Sequence, residues 1–253
     1  MSDYILGRNG VTEALRAKVP ATELLVAAKI DIDERVQEAL RFAKNSGLKV
    51  SEYPRARLDA IVKTTNHQGL ALAVKPFNYA DFDSLIAHPT RKSEGGDGAP
   101  KLILGLDGIT DPHNLGAIIR SGMAFGVDGV VIPERRSADV SGTVWKTSAG
   151  AAARMKIAQV TNMVRSIEDA KKAGFFVVGL DMEGKESLPK FSLADEPLYI
   201  IVGSEGKGIS RLAREKCDLI LSIPMESEFE SLNASVATAI SLYSIVQQRK
   251  SEH

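Results

Sequence analysis

Hydrophobic and polar positions fall into two regimes along this chain. From residue 101 onward, short continuous apolar runs at 102–106, 129–132, 175–180, 198–202 and 219–223 read as strands buried on both faces. They alternate with helical patterns near 113–125, 163–173, 208–215 and 233–249, which predicts an α/β unit with a mainly parallel sheet covered by helices on both faces. Upstream, strands at 23–27, 48–50 and 70–74 are interleaved with helices at 32–45 and 55–63. The first of these helices rests on one apolar stripe of Val36, Ala39, Leu40 and Ala43, with Gly47 just past its end. The pattern fails between 78 and 100, where polar residues, Gly and Pro accumulate. The organisation expected is therefore a small α/β domain at 1–77, a linker at 78–100 and a larger domain at 101–253.

Three polar, glycine-bearing segments follow predicted strands in the larger domain. They are Asp111-Pro112-His113-Asn114-Leu115-Gly116 running on to Arg120, then Ile201-Val202-Gly203-Ser204-Glu205-Gly206-Lys207-Gly208, then Ser222-Ile223-Pro224-Met225 running on to Ser231-Leu232-Asn233-Ala234-Ser235. Ligands in open α/β sheets bind at the carboxyl ends of strands, so three such loops predict one composite site. The second segment is not a Walker loop, because Gly208 follows Lys207 where Ser or Thr is required. No dinucleotide fingerprint opens the turn after 102–106 either, which disfavours nucleotide-hydrolase and dehydrogenase readings.

Composition narrows the setting. With 32 basic and 32 acidic residues, the chain has no overall basic surplus, so any nucleic-acid contact must come from a local patch. The single cysteine, Cys217, permits no intrachain disulfide, and no histidine has a partner at metal-ligand spacing. No metal role is assigned, and the absence of a leader-like or membrane-length apolar segment leads us to expect a cytoplasmic protein.

The order, spacing and flanking strands of the three segments resemble the motifs of the SpoU (TrmH) family of RNA ribose 2′-O-methyltransferases. Upstream, Gly7-Arg8-Asn9-Gly10 and Asn66-His67-Gln68-Gly69 are similar to the RlmB-like branch, which methylates a guanosine of large-subunit ribosomal RNA. The resemblance implies S-adenosylmethionine as cofactor, a deep trefoil knot at the C-terminus, a homodimer and an RNA-binding role for the small N-terminal domain. It also implies catalytic-site places for Asn114, Arg120, Glu205, Asn233 and Ser235, with Ile201, Val202, Gly203, Ser222, Ile223 and Leu232 around the cofactor.

The residues themselves leave alternatives open. Asn114 fits a helix start, Glu205 fits the first turn of a helix beginning near Gly208, and Ser231 or Asn233 fits a cap on the last helix. Arg120 matches the family's catalytic arginine, yet a guanidinium stays protonated, so a phosphate-holding and charge-stabilising role is expected of it. Candidate RNA contacts are Arg8, Arg55, Arg57 and Arg154, with Arg16, Lys63, Arg135, Arg136 and Lys146 as further basic positions. The expected activity is methyl transfer to a guanosine 2′-hydroxyl of 23S ribosomal RNA. Transfer RNA or another ribosomal nucleotide is the neighbouring possibility, and a non-catalytic ribosome-assembly factor the competing class.

Overall fold

The computed structural model describes residues 3–91, 98–226 and 232–251. In chain order the elements are β1 (Asp3–Leu6), α1 (Arg8–Arg16), β2 (Ala21–Ala27), α2 (Glu34–Asn45), β3 (Lys49–Tyr53), α3 (Arg55–Val62), β4 (Leu70–Val74), α4 (Phe82–Ile86), β5 (Leu102–Asp107) and α5 (Pro112–Ala124). There follow β6 (Gly129–Pro133), α6 (Gly142–Thr147), β7 (Ile157–Val160), α7 (Met163–Lys172), β8 (Phe176–Leu180), β9 (Glu186–Ser187), β10 (Leu198–Gly203), α8 (Arg211–Lys216), β11 (Leu219–Ser222) and α9 (Ala234–Ser251). The chain divides into two compact units, one of residues 1–78 with 139–153 and one of residues 79–138 with 154–253.

The first unit is a four-stranded sheet in the order β1-β4-β2-β3, antiparallel except for the β2–β3 pair. Its central strand β4 is Leu-Ala-Leu-Ala-Val, buried at all five positions, as a strand covered on both faces should be. Helix α2 starts where Asp33 accepts a hydrogen bond from the Val36 amide, buries Val36, Ala39 and Ala43, and stops at Ser46 before left-handed Gly47. Strand β1 is only four residues long, too short to register as an apolar run, and helix α1 buries Gly10 and Thr12 beside Val11, Ala14 and Leu15. The Thr12 hydroxyl is satisfied by the Arg8 and Arg35 carbonyls.

The segment 139–153 also belongs to this unit, although it lies between β6 and β7 in sequence. Trp145 is 4% exposed and its ring lies 5.7 Å from that of Phe77. Two glycines let the segment in. A Cβ on Gly142 would stand 3.0 Å from the Ile5 side chain, and one on left-handed Gly150 would stand 2.8 Å from Ala17 Cβ.

The second unit carries a seven-stranded sheet in the order β7-β6-β5-β10-β8-β11-β9, with every pairing parallel. Within the stretch 78–100, Ala80 bridges to Ala158, and α4 sends Leu85 and Ile86 into the core of this unit. Strand β7 is missing from the sequence reading because its four residues are too short to register as a run. Helix α8 begins at Arg211 rather than near 208, since Gly208 has φ +63° and closes a turn instead of opening a helix. The trefoil threading implied by the resemblance depends on the path from β11 to α9, where residues 227–231, including Ser231, lie outside the described residues.

Register brings the strand ends together. Asp107 of β5 pairs with Gly203 of β10, and Leu180 of β8 pairs with both Val202 and Leu221. The loops leaving these four strands therefore emerge side by side. Strand β5 has β6 on one side and β10 on the other, so the crevice forms where the connections diverge.

Candidate active site at the strand ends

Local chemistry sets each loop. Asp111 caps α5 through the His113 amide at 2.9 Å with Pro112 at the first helical position, so Asn114 is not the cap and its side chain is free to reach across. After β10, Ser204 and Gly208 exchange backbone hydrogen bonds of 3.1 and 2.9 Å, closing a tight loop with Glu205 on it. Gly206 and Gly208 take φ values of +74° and +63° there. At Gly203 a Cβ would stand 1.9 Å from the Gly208 carbonyl carbon, so only glycine fits. Asp107 fastens the following chain by accepting from the Ser210 amide at 2.8 Å.

Three residues far apart in sequence then meet. Asn114 Nδ2 donates to Glu205 Oε1 at 3.0 Å, and Asn233 Nδ2 donates to Asn114 Oδ1 at 3.0 Å and also to Glu205 Oε1. Asn233 Oδ1 accepts from the Ser235 amide at 2.9 Å, the Ser235 hydroxyl at 2.6 Å and the Val236 amide at 3.3 Å. Asn233 is thus both the cap of α9 and a member of the network. Glu205 is not a first-turn acid, because the helix starts six residues later with Ser210 at its cap.

Beside this network lies a cavity of about 480 Å³, inside the roughly 300–1,000 Å³ range of small-molecule sites. Val202, Gly203, Ile223 and Leu232 line it, as does Glu205. Ile201 instead points into the buried core, as period-two alternation with Val202 demands, and the Ser222 hydroxyl donates to the Glu186 carbonyl at 3.3 Å. Sequence reasoning missed a fourth wall: Leu180, Asp181, Met182 and Glu183 after β8, with Arg214 from α8. The signal was present, since 175–180 is an apolar run followed by a polar stretch ending in Gly184, the same pattern that marked the other loops. Arg214 Nη1 holds Asp181 at 3.2 Å and Glu183 at 3.0 Å.

This donor set fits S-adenosylmethionine. Leu180, Leu221, Ile223, Leu232, Ala234 and Ala237 offer an apolar surface for a flat base, Gly203, Gly206 and Gly208 let the backbone approach closely, and Asp181 and Glu183, whose joint charge exceeds that of their partner Arg214, supply negative charge for a cationic sulfonium. Among the described residues there is no group of three or more His, Cys, Asp or Glu side chains placed to hold a metal ion.

Residues 101–243 match the model of the SpoU rRNA methylase family, and residues 4–80 match that of the RNA 2′-O ribose methyltransferase substrate-binding domain. The chain belongs to the SpoU rRNA methylase family. A tRNA/rRNA methyltransferase of Mycobacterium sp. strain KMS is 50% identical over 250 residues, covering 99% of this chain and 78% of that protein. The counterpart in Mycobacterium marinum is 48% identical over 249 residues, covering 98% and 78%. Among solved structures, the SpoU methyltransferase AviRb from Streptomyces viridochromogenes, in complex with AdoMet, superposes with a TM-score of 0.72 at 25% identity, covering 98% of this chain and 90% of that one. A TrmH-family protein from Porphyromonas gingivalis gives 0.67 at 26%, covering 96% and 89%.

In this SpoU protein the two N-terminal sequence signatures meet. The Arg8 amide donates to Gln68 Oε1 at 3.1 Å, Arg8 Nε donates to the Gln68 carbonyl at 3.3 Å, and its guanidinium pairs with Asp33 at 2.6 Å. His67, fully buried, accepts from the Gly69 amide through Nδ1 at 2.9 Å, which leaves Nε2 to donate to Asp59 at 2.6 Å. That turn is held by neutral imidazole chemistry rather than by chance packing. Arg16 is likewise engaged, by Glu13 and Glu38, whereas Arg55, Arg57 and Arg154 are exposed. Arg120 is exposed on α5, and its guanidinium has no hydrogen bond or ion pair among the described residues.

Proposed function

We propose that this protein transfers the methyl group of S-adenosylmethionine to the ribose 2′-hydroxyl of a guanosine in 23S ribosomal RNA. Membership of the family establishes the coarser statement: the chain is an S-adenosylmethionine-dependent RNA 2′-O-methyltransferase. The observation that carries the site reading is the Asn114–Glu205–Asn233 network, which joins three family segments at the rim of a cavity shaped for a nucleoside. The guanosine reading is supported by the N-terminal signatures, which build one turn together instead of serving separate parts of the fold.

When bound, the cofactor supplies an electrophilic methyl group on a positively charged sulfur. Gly203 and its loop admit it without side-chain obstruction, and Val202, Ile223 and Leu232 bury its apolar part. Arg120, always protonated and exposed, holds the phosphate beside the target ribose and stabilises the charge developing on its oxygen. Orientation of that oxygen by the network supplies the other part of the rate enhancement. RNA is gripped by the exposed Arg55, Arg57 and Arg154, with Arg8 shaping the surface through its pairing with Asp33.

A homodimer follows from the same reading. Val236, Ile240 and Tyr243, spaced i, i+4 and i+7 on α9, are 45%, 40% and 56% exposed, and Phe125 at the end of α5 lies edge-on to Tyr243 at 6.2 Å. No helix among the described residues is long and apolar enough to cross a membrane, and we place the enzyme in the cytoplasm with its RNA. The decisive assay offers undermodified 23S rRNA and transfer RNA with labelled S-adenosylmethionine. Label confined to a guanosine ribose of 23S rRNA, and lowered about 100-fold or more by Arg120→Ala, is the expected result. Label in transfer RNA would overturn the substrate.

A further inference from the structure

The hydrogen-bond directions in the network point to Glu205 Oε2 as the atom that takes the proton from the ribose 2′-hydroxyl. This inference rests on the methyltransferase reading of the site and assigns a step that the reading leaves open. It begins from atoms whose roles are not adjustable. The backbone amides of Ser235 and Val236 can only donate, and both face one side-chain atom of Asn233, which must therefore be its carbonyl oxygen. The amide nitrogen of Asn233 then faces Asn114 and Glu205 and donates to both. Asn114 meets that donor with its own carbonyl oxygen at 3.0 Å, so its nitrogen is the atom 3.0 Å from Glu205 Oε1.

Glu205 Oε1 consequently accepts from two amides at once and carries no proton. Its other oxygen, Oε2, has no hydrogen-bond partner among the described residues, and the side chain is exposed at the rim of the cavity. The network thus fixes one carboxylate oxygen and leaves the second available. The alternatives nearby are occupied or chemically unfit. Asp181 and Glu183 are bound to Arg214, Asp111 caps α5, the two asparagines have no basic atom, and an arginine remains protonated.

In the step itself, the O–H bond of the ribose breaks with its proton passing to Glu205 Oε2. The ribose oxygen forms the new bond to the methyl carbon, and the electron pair of the breaking sulfur–carbon bond stays on sulfur. Exposure of Glu205 lets water remove the proton afterwards. Arg120 then needs only to stabilise charge, which matches what a guanidinium can do.

Glu205→Gln tests this directly, because an amide oxygen in the place of Oε1 keeps accepting from Asn114 and Asn233 while the nitrogen in the place of Oε2 cannot accept a proton. We expect kcat on RNA to fall by roughly 100-fold or more, with the Kd for S-adenosylmethionine and the KM for RNA within about threefold of the parent. Glu205→Asp, which keeps a carboxylate on a shorter stem, should retain more activity than the Gln variant. A Gln variant with kcat within about threefold of the parent would overturn the assignment, as would a loss explained by weaker cofactor binding alone. Running each variant on both 23S rRNA and transfer RNA separates the two questions. Label appearing in the unexpected RNA changes the substrate, while the Glu-to-Gln ratio on that RNA still decides the proton acceptor.

Discussion

Single atoms decide the site more than whole residues do. At Gly203 the obstruction to any side chain is backbone, the Gly208 carbonyl carbon 1.9 Å from the added Cβ, so it cannot be relieved by a rotamer change. Gly203→Ala is therefore expected to displace the 204–208 loop and weaken S-adenosylmethionine binding by at least about tenfold, corresponding to roughly 1.4 kcal/mol. Calorimetric titration of the folded variant checks this, and unchanged affinity would mean that the loop is not the cofactor's seat. Asn233 shows the same economy at side-chain level. One carbonyl oxygen caps α9, and the nitrogen on the same amide reaches Asn114 and Glu205, so the helix start and the proposed reaction centre share one side-chain amide.

At the scale of elements, α6 matters most because it leaves the unit to which its neighbours in sequence belong. Residues 139–153 complete the N-terminal unit, with Trp145 buried against it and Gly142 and Gly150 permitting the close approach. The substrate-binding part of the molecule is thus finished by chain encoded inside the methyltransferase half. Trp145→Ala removes the largest buried side chain of this segment and should cost about 3–5 kcal/mol. Hydrogen exchange is the sensitive measurement, with protection expected to drop in β1 and α1, the elements that α6 touches. Protection lost uniformly through both units, or nowhere, would contradict that placement. Helix α9 is held at its far end in a different way. The Arg249 guanidinium donates to the carbonyls of Pro100, Ala194 and Glu196, and burial pushes its pKa below the usual arginine value.

For the whole molecule, a cluster of exposed apolar side chains lies on the outward face of α9 beside the end of α5. Three large side chains at helical spacing with exposures of 40% or more form a patch suited to pairing with a second copy. Ile240→Asp combined with Tyr243→Asp is expected to convert the dimer we propose to a monomer at micromolar concentration, as read by light scattering. A parent protein that is already monomeric would remove this surface from the proposal without touching the cavity. The neutral net charge belongs to the same scale, since it supplies no global field for RNA and leaves our proposed contacts at the exposed Arg55 and Arg57 to local charge.

The sequence by itself determined what local forces control. Apolar runs became β5, β6, β8, β10 and β11 because a strand buried on both faces needs no polar side. Asp111 and Asn233 mark helix starts because a carboxylate or amide oxygen two or three residues ahead of free N–H groups is satisfied wherever the helix sits. The glycine loops were legible for a similar reason, since positive φ is a property of the residue. Other features were decided only by tertiary structure. Glu205 meets Asn114 across 91 residues and Asn233 across 28, contacts that exist only once β10 has paired with β5 and α9 has packed against α5. The same pairing selects Val202 over Ile201 for the cavity and adds the Asp181 loop as a fourth wall. It is also packing, through the steric allowance at two glycines, that gives residues 139–153 to the N-terminal unit. Periodicity and caps are read within a turn or a strand, whereas strand order and unit membership depend on which distant surfaces fit, and that fit is a property of the folded chain.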